Sequence, residues 1–193
     1  MIALAGRRID AADAETSRFP LSQVERVRQR VRELFTKYRP AALVCSPACG
    51  ADLIALQVAA ELGIRRRIVL PFAPRQFLQT SVADRPGDWA DVYQEMIQSA
   101  QAERDLVIVG GDPVDDQIYL RTNEAILDEA VELSKASDGK VAVVLVWDGR
   151  PRGAGDVTAA FGTKAEERGF PVEIIRTDQN PAQRDMSGAS SPN

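Results

Sequence analysis

The chain has 193 residues, of which 45% are hydrophobic and 27% charged, with a net charge of −4 and no histidine. These values are typical of a single soluble globular domain, and the acidic charge argues against general binding to nucleic acids or anionic membranes. Without histidine, neither a Ser-His or Cys-His dyad nor a His-ligated zinc site can form. Because the sequence lacks both a long apolar run and a signal-peptide core, we predict a cytoplasmic protein that is not inserted in a membrane.

Short apolar runs alternate with helical patterns along most of the chain. The runs predict strands at residues 2–6, 41–45, 67–72, 105–110, 140–147 and 171–175. Helical spacing predicts helices at 22–38 with Ser22 as N-cap, at 51–62, near Phe77, and at 89–102, 116–136 and 156–168. Continuous Val/Ile/Leu runs indicate parallel strands buried on both faces. We therefore predict an α/β fold: a doubly wound, mainly parallel, Rossmann-like sheet with helices on both faces.

The pattern predicts one domain over residues 1–176, followed by a disordered tail at 177–193, which is polar and contains Ser, Pro and Asn. Ligands of open parallel sheets bind at the carboxyl ends of the strands, near the switch in strand order. The search for a site is therefore limited to five turns, which read AGRR, CSPACGAD, LPFAP, VGGDPVDD and WDGRPRGAGD.

The turn CSPACGAD lies between a predicted strand and a predicted helix. Its small residues let a ligand approach the backbone, and the first amides of the helix favour a phosphate. This gives four candidate ligand-binding residues: Cys49, Gly50, Ala51 and Asp52. The alternative is a plain tight turn. The spacing C-x-x-x-C does not match a C-x-x-C redox motif, and two cysteines without histidine make a poor zinc site, so no metal is predicted.

The turn WDGRPRGAGD is the second phosphate-type candidate. Its glycines free the backbone before a helix, Arg150 and Arg152 could meet an anion, and Asp148 could accept hydrogen bonds from ribose hydroxyls. The alternative is a surface loop with solvated arginines. The candidate ligand-binding residues in this turn are Asp148, Gly153, Ala154, Gly155 and Asp156.

The turn AGRR and one helix supply the remaining candidates. Gly6 ends the first strand, and Arg7 or Arg8 could clamp a phosphate or simply be solvated. In the helix over 116–136, Asn123 could contact a base or ribose, while Glu124 could be an acid catalyst or an exposed charge.

Two other features are interpreted as structural. The triplet Arg65–Arg67 is predicted to be a solvated entry to a strand. Trp89 and Tyr93 lie four residues apart on one helical face, which is more typical of core residues than of a base-stacking platform.

These motifs resemble the SLOG superfamily, which includes the DNA-processing protein Smf and the cytokinin-activating LOG enzymes. CSPACGAD and the helix after it are similar to the first glycine-containing turn of that family, WDGRPRGAGDVT to its second phosphate loop, and AGRR to its first-strand turn. The likeness covers about residues 2–176. It implies a Rossmann-like domain that binds a nucleotide or nucleotide-derived ligand, and no other cofactor is predicted.

The chain departs from the LOG pattern P-G-G-x-G-T-x-x-E, whose glutamate serves a phosphoribohydrolase activity. Pro151, Gly153 and Gly155 match it, whereas Ala159 stands at the glutamate position; Arg152 and Asp156 also differ. The resemblance therefore implies a ligand-sensing branch without a catalytic residue. Such a sensor would need a homo-oligomer or a separate effector protein to transmit binding.

Two alternatives stay open at this point. The first is a nucleotide N-glycosidase or phosphoribohydrolase of LOG type with a displaced catalytic carboxylate, supplied by Glu124, Asp148 or Asp156. The second is an interaction domain that takes no small molecule.

Overall fold

The computed structural model describes residues 1–112, 114–115, 117–136 and 139–178. Strands in these ranges are β1 Ile2–Gly6, β2 Ala42–Cys45, β3 Arg65–Leu70, β4 Leu106–Ile108, β5 Ala142–Trp147 and β6 Val172–Arg176. They form one sheet in the order β4-β3-β2-β1-β5-β6, and every neighbouring pair is parallel. The predicted parallel α/β sheet is confirmed. Its strand order reverses between β1 and β5, which defines the switch point.

Helices cover both faces of the sheet, as predicted. They are α1 Val24–Tyr38, α2 Ala51–Glu61, α3 Pro74–Ser81, α4 Trp89–Ala102, α5 Ile118–Lys135 and α6 Val157–Glu167. Helices α1, α2 and α4 pack on one face, and α5 and α6 pack on the other. The fold is therefore a doubly wound three-layer structure with an apolar core on each side of the sheet.

Helices α1 and α2 show how sequence pattern sets burial. In α1 only one stripe is buried, formed by Val27, Val31 and Phe35, so its other face is left to solvent. In α2 apolar residues occupy nearly the whole circumference, and the helix is enclosed by the sheet, α1 and α4. The predicted N-cap role of Ser22 is wrong: a short 3₁₀ helix, Leu21–Gln23, contains this residue and leads directly into α1.

The arginine triplet belongs to β3, so its prediction as a solvated strand entry is wrong. Arg65 and Arg67 donate to the buried carboxylate of Asp105 at 2.7 and 2.8 Å, and Arg67 also donates to Glu129 at 2.6 Å. Burial alone would raise the pKa of Asp105, but the two guanidinium groups outweigh it and hold that pKa below its usual value.

Trp89 and Tyr93 are core residues, as predicted. Both are buried, and each satisfies its polar atom locally: the Trp89 indole N–H donates to the carbonyl of Pro86, and the Tyr93 hydroxyl donates to the carbonyl of Pro74. Such bonds allow amphipathic aromatic rings to lie in an apolar core.

The folded chain runs past the predicted domain end. Thr177, predicted as the first tail residue, is buried; its hydroxyl donates to the carbonyl of Arg18 at 2.6 Å and its amide to the carbonyl of Trp147 at 3.2 Å. The rest of the predicted tail, residues 179–193, lies outside the described residues. None of the helices in the described part of the chain has the length and apolar character needed to span a bilayer.

Candidate ligand-binding cleft

A cleft of about 590 Å³ opens at the carboxyl ends of β1 and β2, beside the switch point. Doubly wound sheets bind ligands at this place, and the volume is within the range of small-molecule sites. The residues that line it include Gly6, Arg7 and Arg8 after β1, Asp52 in α2, Thr80 and Ser81 in α3, Tyr119, Thr122 and Asn123 in α5, and Arg152, Gly155, Asp156 and Thr158 around the start of α6.

Gly6, which lines the cleft at the end of β1, leaves no room for a side chain. A Cβ atom at this position would overlap the Cβ of Ala51 and lie 2.7 Å from the carbonyl oxygen of Val146. The hydroxyl of Thr158 donates to the Gly6 carbonyl at 3.4 Å. The glycine therefore lets β1, β5, α2 and α6 meet at one point.

Three predicted residues of the first turn, Cys49, Gly50 and Ala51, do not line the cleft. The amide of Cys49 donates to the carbonyl of Ser81 and that of Ala51 to the carbonyl of Arg7, both at 3.1 Å. These amides hold the turn together and do not face the cleft as a phosphate cradle would. Burial raises the pKa of Cys49 to about 11, so its thiol is not activated.

Gly50 is required by the backbone of the same turn. Its φ angle is +95°, in the region that favours glycine. A Cβ atom here would also lie 2.8 Å from the amide nitrogen of Ile9 and 2.9 Å from the carbonyl oxygen of Arg7. The role of Gly50 visible in the structure is therefore close backbone packing between the β1 turn and the start of α2.

Asp52 is the predicted residue of the first turn that does line the cleft. Its side chain is buried, and Oδ1 has no hydrogen-bond partner among the described residues. Burial raises the pKa of Asp52 well above its usual value, against the opposing effect of hydrogen bonds from the amides of Ala48 and Gly6. The surroundings of Asp52 thus favour its protonated form.

Arg7 does not present a free guanidinium group to a phosphate. Only 3% exposed, it donates from Nε to Asp148 at 3.0 Å, from Nη1 to Asp156 at 2.6 Å and from Nη2 to the carbonyl of Arg150 at 2.5 Å. Its guanidinium group also lies 5.4 Å from the ring centroid of Trp147. Arg7 therefore ties the β1 turn to the loop before α6.

The two aspartates of the second turn complete this network. Asp148 accepts from Arg18 at 2.8 Å as well as from Arg7, and it does not line the cleft. Asp156 is the N-cap of α6, and it accepts from the amides of Ala159 at 3.0 Å and Arg152 at 2.7 Å. Burial alone would raise the pKa of Asp156, but these amides and Arg7 hold it below its usual value.

Two arginines face the cleft in different states. Arg8 is paired with Asp84 through contacts of 2.9 and 3.0 Å. The Arg152 side chain has neither an ion-pair nor a hydrogen-bond partner in the described ranges. Partial burial and the nearby charges of Arg7, Arg18 and Arg85 lower the pKa of Arg152. Several positive charges thus lie near the cleft mouth, and one of them is unpaired.

Helix α5 brings one of its two predicted residues into the cleft. Asn123 is buried, lines the cleft, and donates from Nδ2 to the carbonyl of Val157 at 2.8 Å, which connects α5 to α6. Glu124 is exposed outside the cleft and lies 3.7 Å from Lys164. In the second loop, Gly155 lines the cleft, whereas Gly153 and Ala154 do not.

Comparison with known proteins gives no relative. No protein-family model matches the chain, and no curated protein or solved structure is significantly similar to it. Within the described ranges, no group of three or more Cys, Asp or Glu side chains is arranged to hold a metal ion. The chemistry of the cleft is therefore the basis for a functional inference.

Several residues that line the cleft were missed by sequence reasoning. They are hydroxyl-bearing side chains directly after β2 and in α3 and α5: Ser46, Thr80, Ser81, Tyr119 and Thr122. For Thr122 a signal exists, since a polar pair, Thr122 and Asn123, interrupts the buried stripe of α5. For α3 the sequence has no comparable signal, because its place beside the cleft depends on how it packs against α4.

Proposed function

We propose that the protein binds a nucleotide or nucleotide-derived ligand in the cleft and acts as a binding or sensing domain of the SLOG type. The observation that supports this most is Arg152, a guanidinium group at the cleft whose side chain makes no ion pair or hydrogen bond among the described residues, although the carboxylate of Asp156 lies near. A phosphate would give it an ion-pair partner and accept a bidentate pair of hydrogen bonds.

The remainder of the cleft suits the uncharged part of such a ligand. Thr80, Thr122 and Asn123 offer polar groups for ribose or base, and the rings of Phe77 and Tyr119 offer apolar surface. A volume of about 590 Å³ is appropriate for a mononucleotide or a compound such as ADP-ribose. Of the two turns that carry the SLOG resemblance, Asp52, Gly155 and Asp156 line the cleft.

Binding is favoured over hydrolysis because the candidate catalytic carboxylates are engaged or remote. Asp148 and Asp156 are each bound by Arg7, and Glu124 points outside the cleft. Ala159 stands where the LOG motif carries its glutamate. A homo-oligomer or a separate effector protein, through which a sensor would act, stays a prediction.

Ligand binding can be tested with AMP, ADP-ribose and cyclic dinucleotides in a thermal-shift assay, with adenosine as the control that lacks phosphate. A ligand at 100 times its Kd stabilises the native state by about 2.7 kcal/mol. For a domain of this size we expect Tm to rise by about 5–10 °C. Failure of every phosphate-bearing compound at millimolar concentration would contradict the proposal. Release of free base, followed by HPLC, would instead favour the hydrolase.

The role of Arg152 can be tested with Arg152→Gln and the matched control Arg104→Gln. Arg104 is exposed next to the amino end of β4, whereas the cleft lies at the carboxyl ends of the strands. Loss of a charged hydrogen bond costs about 1.5–3 kcal/mol, so Arg152→Gln should weaken binding by about 10- to 100-fold in calorimetry. Equal affinity of the two variants would refute Arg152 as the phosphate contact.

A further inference from the structure

Asp52 differs from the other buried aspartates of the described residues. Asp105, Asp148 and Asp156 are each bound by at least one arginine. Asp52 is bound by none, although it is only 6% exposed and faces the cleft. Its Oδ1 atom also lacks a hydrogen-bond partner in the described structure. A buried polar atom without a partner is costly, so one facing a cleft suggests that a ligand completes it.

The surroundings of Asp52 favour its protonated form. Its side chain is buried and, unlike the other three buried aspartates, is not bound by a guanidinium group. Burial raises the pKa of Asp52 and outweighs the opposing effect of the backbone of Ala48 and Gly6. In its protonated form the carboxyl group carries an O–H that can donate a hydrogen bond.

We propose that Asp52 acts as a neutral carboxylic acid that donates a hydrogen bond from its carboxyl O–H to an acceptor atom on the uncharged part of the ligand. The acceptor would be a ring nitrogen, a carbonyl oxygen or a ribose oxygen. This inference rests on the proposed function, in which Arg152 holds the phosphate. Asp52 and Arg152 line the same cleft from different elements, α2 and the loop before α6, so each would contact a different part of the ligand.

The neutral donor makes Asp52 a specificity-determining residue. A ligand without an acceptor at this point would leave the carboxyl O–H of Asp52 buried and unpaired. Sites built to hydrogen-bond a ligand atom strongly reject analogues that lack that atom. The N-terminal end of α2 favours a negative charge at Asp52, yet burial outweighs it and raises the pKa of the carboxyl group.

Affinity should fall as pH rises through the pKa of Asp52, because the ligand binds the protonated form. Other titratable groups surround the cleft from each neighbouring element: Cys45 and Cys49 beside α2, Arg7 and Arg8 after β1, Arg152 and Asp156 before α6, and Tyr119 on α5. The nucleotide phosphate titrates as well, with a second pKa near 6. The comparison of wild type with Asp52→Asn isolates Asp52, because the other groups are the same in both.

The decisive variants are Asp52→Asn and Asp52→Ala, measured by calorimetry with AMP and ADP-ribose at pH 6 and pH 9. Asparagine keeps an acceptor for the two amides and a donor toward the cleft. At pH 6 we expect the affinity of Asp52→Asn to match that of wild type within about threefold. Between pH 6 and pH 9, Asp52→Asn should lose less affinity than wild type does. Asp52→Ala should bind about tenfold or more weakly than wild type at pH 6, and about tenfold or more weakly than Asp52→Asn at pH 9. Circular dichroism would verify that each variant is folded.

Three binding outcomes would overturn the inference. The first is a tenfold loss of affinity in Asp52→Asn at pH 6, which would mean that the ligand needs an ionised carboxylate. The second is a pH dependence of affinity that is identical in wild type and Asp52→Asn. The third is full wild-type affinity in Asp52→Ala. Binding of a nucleotide together with any of these refutes the role of Asp52 and leaves the proposed function standing. If no nucleotide binds wild type at either pH, both fail.

The protonation state can be measured without any ligand. In a ¹³C NMR titration, the carboxyl signal that is present in wild type and missing in Asp52→Asn belongs to Asp52. We expect this signal to report the protonated acid at pH 7. A signal that reports the ionised carboxylate at pH 7 would overturn the inference whether or not a nucleotide binds.

Discussion

Asp52 and Asp156 lie at the starts of two helices beside the same cleft, and their pKa values are shifted in opposite directions. Each is 6% exposed. Asp52 has two backbone amides for partners and a raised pKa, whereas Asp156 has two backbone amides together with Arg7 and a lowered pKa. Burial alone therefore does not determine the pKa of a carboxyl group in this protein. The direction of the shift depends on whether a guanidinium group is bound as well.

The comparison extends to the two sides of the cleft. Around Asp156 the loop is held by charge, through Arg7 and Asp148. Around Asp52 the turn is held by backbone hydrogen bonds and close packing at Gly50. The starts of the two helices beside the cleft are therefore held by different interactions, ion pairs at α6 and backbone contacts at α2.

Removing the guanidinium group should have the largest effect on this contrast. In Arg7→Ala, Asp156 would resemble Asp52, as a buried carboxyl group without a cation, while Asp148 would keep Arg18 alone. Breaking a buried ion pair costs about 3–5 kcal/mol, so we expect a loss of that size in urea unfolding at pH 7.

The matched control for this measurement is Arg104→Ala, at an exposed residue outside the network. A surface change of this kind is expected to alter stability by no more than about 0.5 kcal/mol. A loss below about 1 kcal/mol in Arg7→Ala would mean that the charged network contributes little to the folded state.

Changing Asp156 should have the next largest effect. Asp156→Ala removes the N-cap of α6 and one partner of Arg7, and we expect a loss of about 3 kcal/mol. Asp156→Asn keeps an acceptor for the Ala159 amide, so about 1–2 kcal/mol should be lost. Urea unfolding of both variants at pH 7 measures the difference between their free energies of unfolding. Equal losses of stability in the two variants would show that the N-cap hydrogen bond contributes nothing.

The smallest effect, and the one gain, is expected for Asp52→Asn. Because the folded-state pKa of Asp52 is raised, its stabilising contribution is complete below the usual value of 3.8 and is lost as pH rises toward the folded-state value. Asparagine does not ionise, so its Tm should exceed that of wild type by a few degrees at pH 8 and match it near pH 4. A Tm difference that grows on acidification would contradict the raised pKa.

Much of the fold could be predicted from the sequence, because its signals are local. Continuous apolar runs mark the strands, and Pro40 and Gly63 separate strands from helices. The start of β3 could not be predicted from the sequence. The pattern of Arg65–Arg67 is typical of a solvated segment, and only the structure shows that Asp105 and Glu129 bind these arginines. A charged strand end is indistinguishable in sequence from a loop when its counter-charges are distant along the chain.

The sequence led to the strand ends where the cleft lies, and it proposed Arg7 or Arg8 for a phosphate and Asp148 for a ribose. Arg7 and Asp148 are instead paired with each other, 141 residues apart in the chain. No local pattern reveals a pairing of that range. The raised pKa of Asp52 was equally hidden, because it depends on burial in the folded chain.

The overlap that any side chain would create at Gly6 has a consequence for how ligand preference could change in this fold. A substitution at Gly6 would push β1 away from α2 and β5, so this position beside the cleft cannot vary without disturbing the sheet. Thr80 on α3 and Thr122 on α5 line the same cleft from separate helices. Variation in the bound molecule would therefore accumulate at helix positions of this kind, while the junction at Gly6 stays constant.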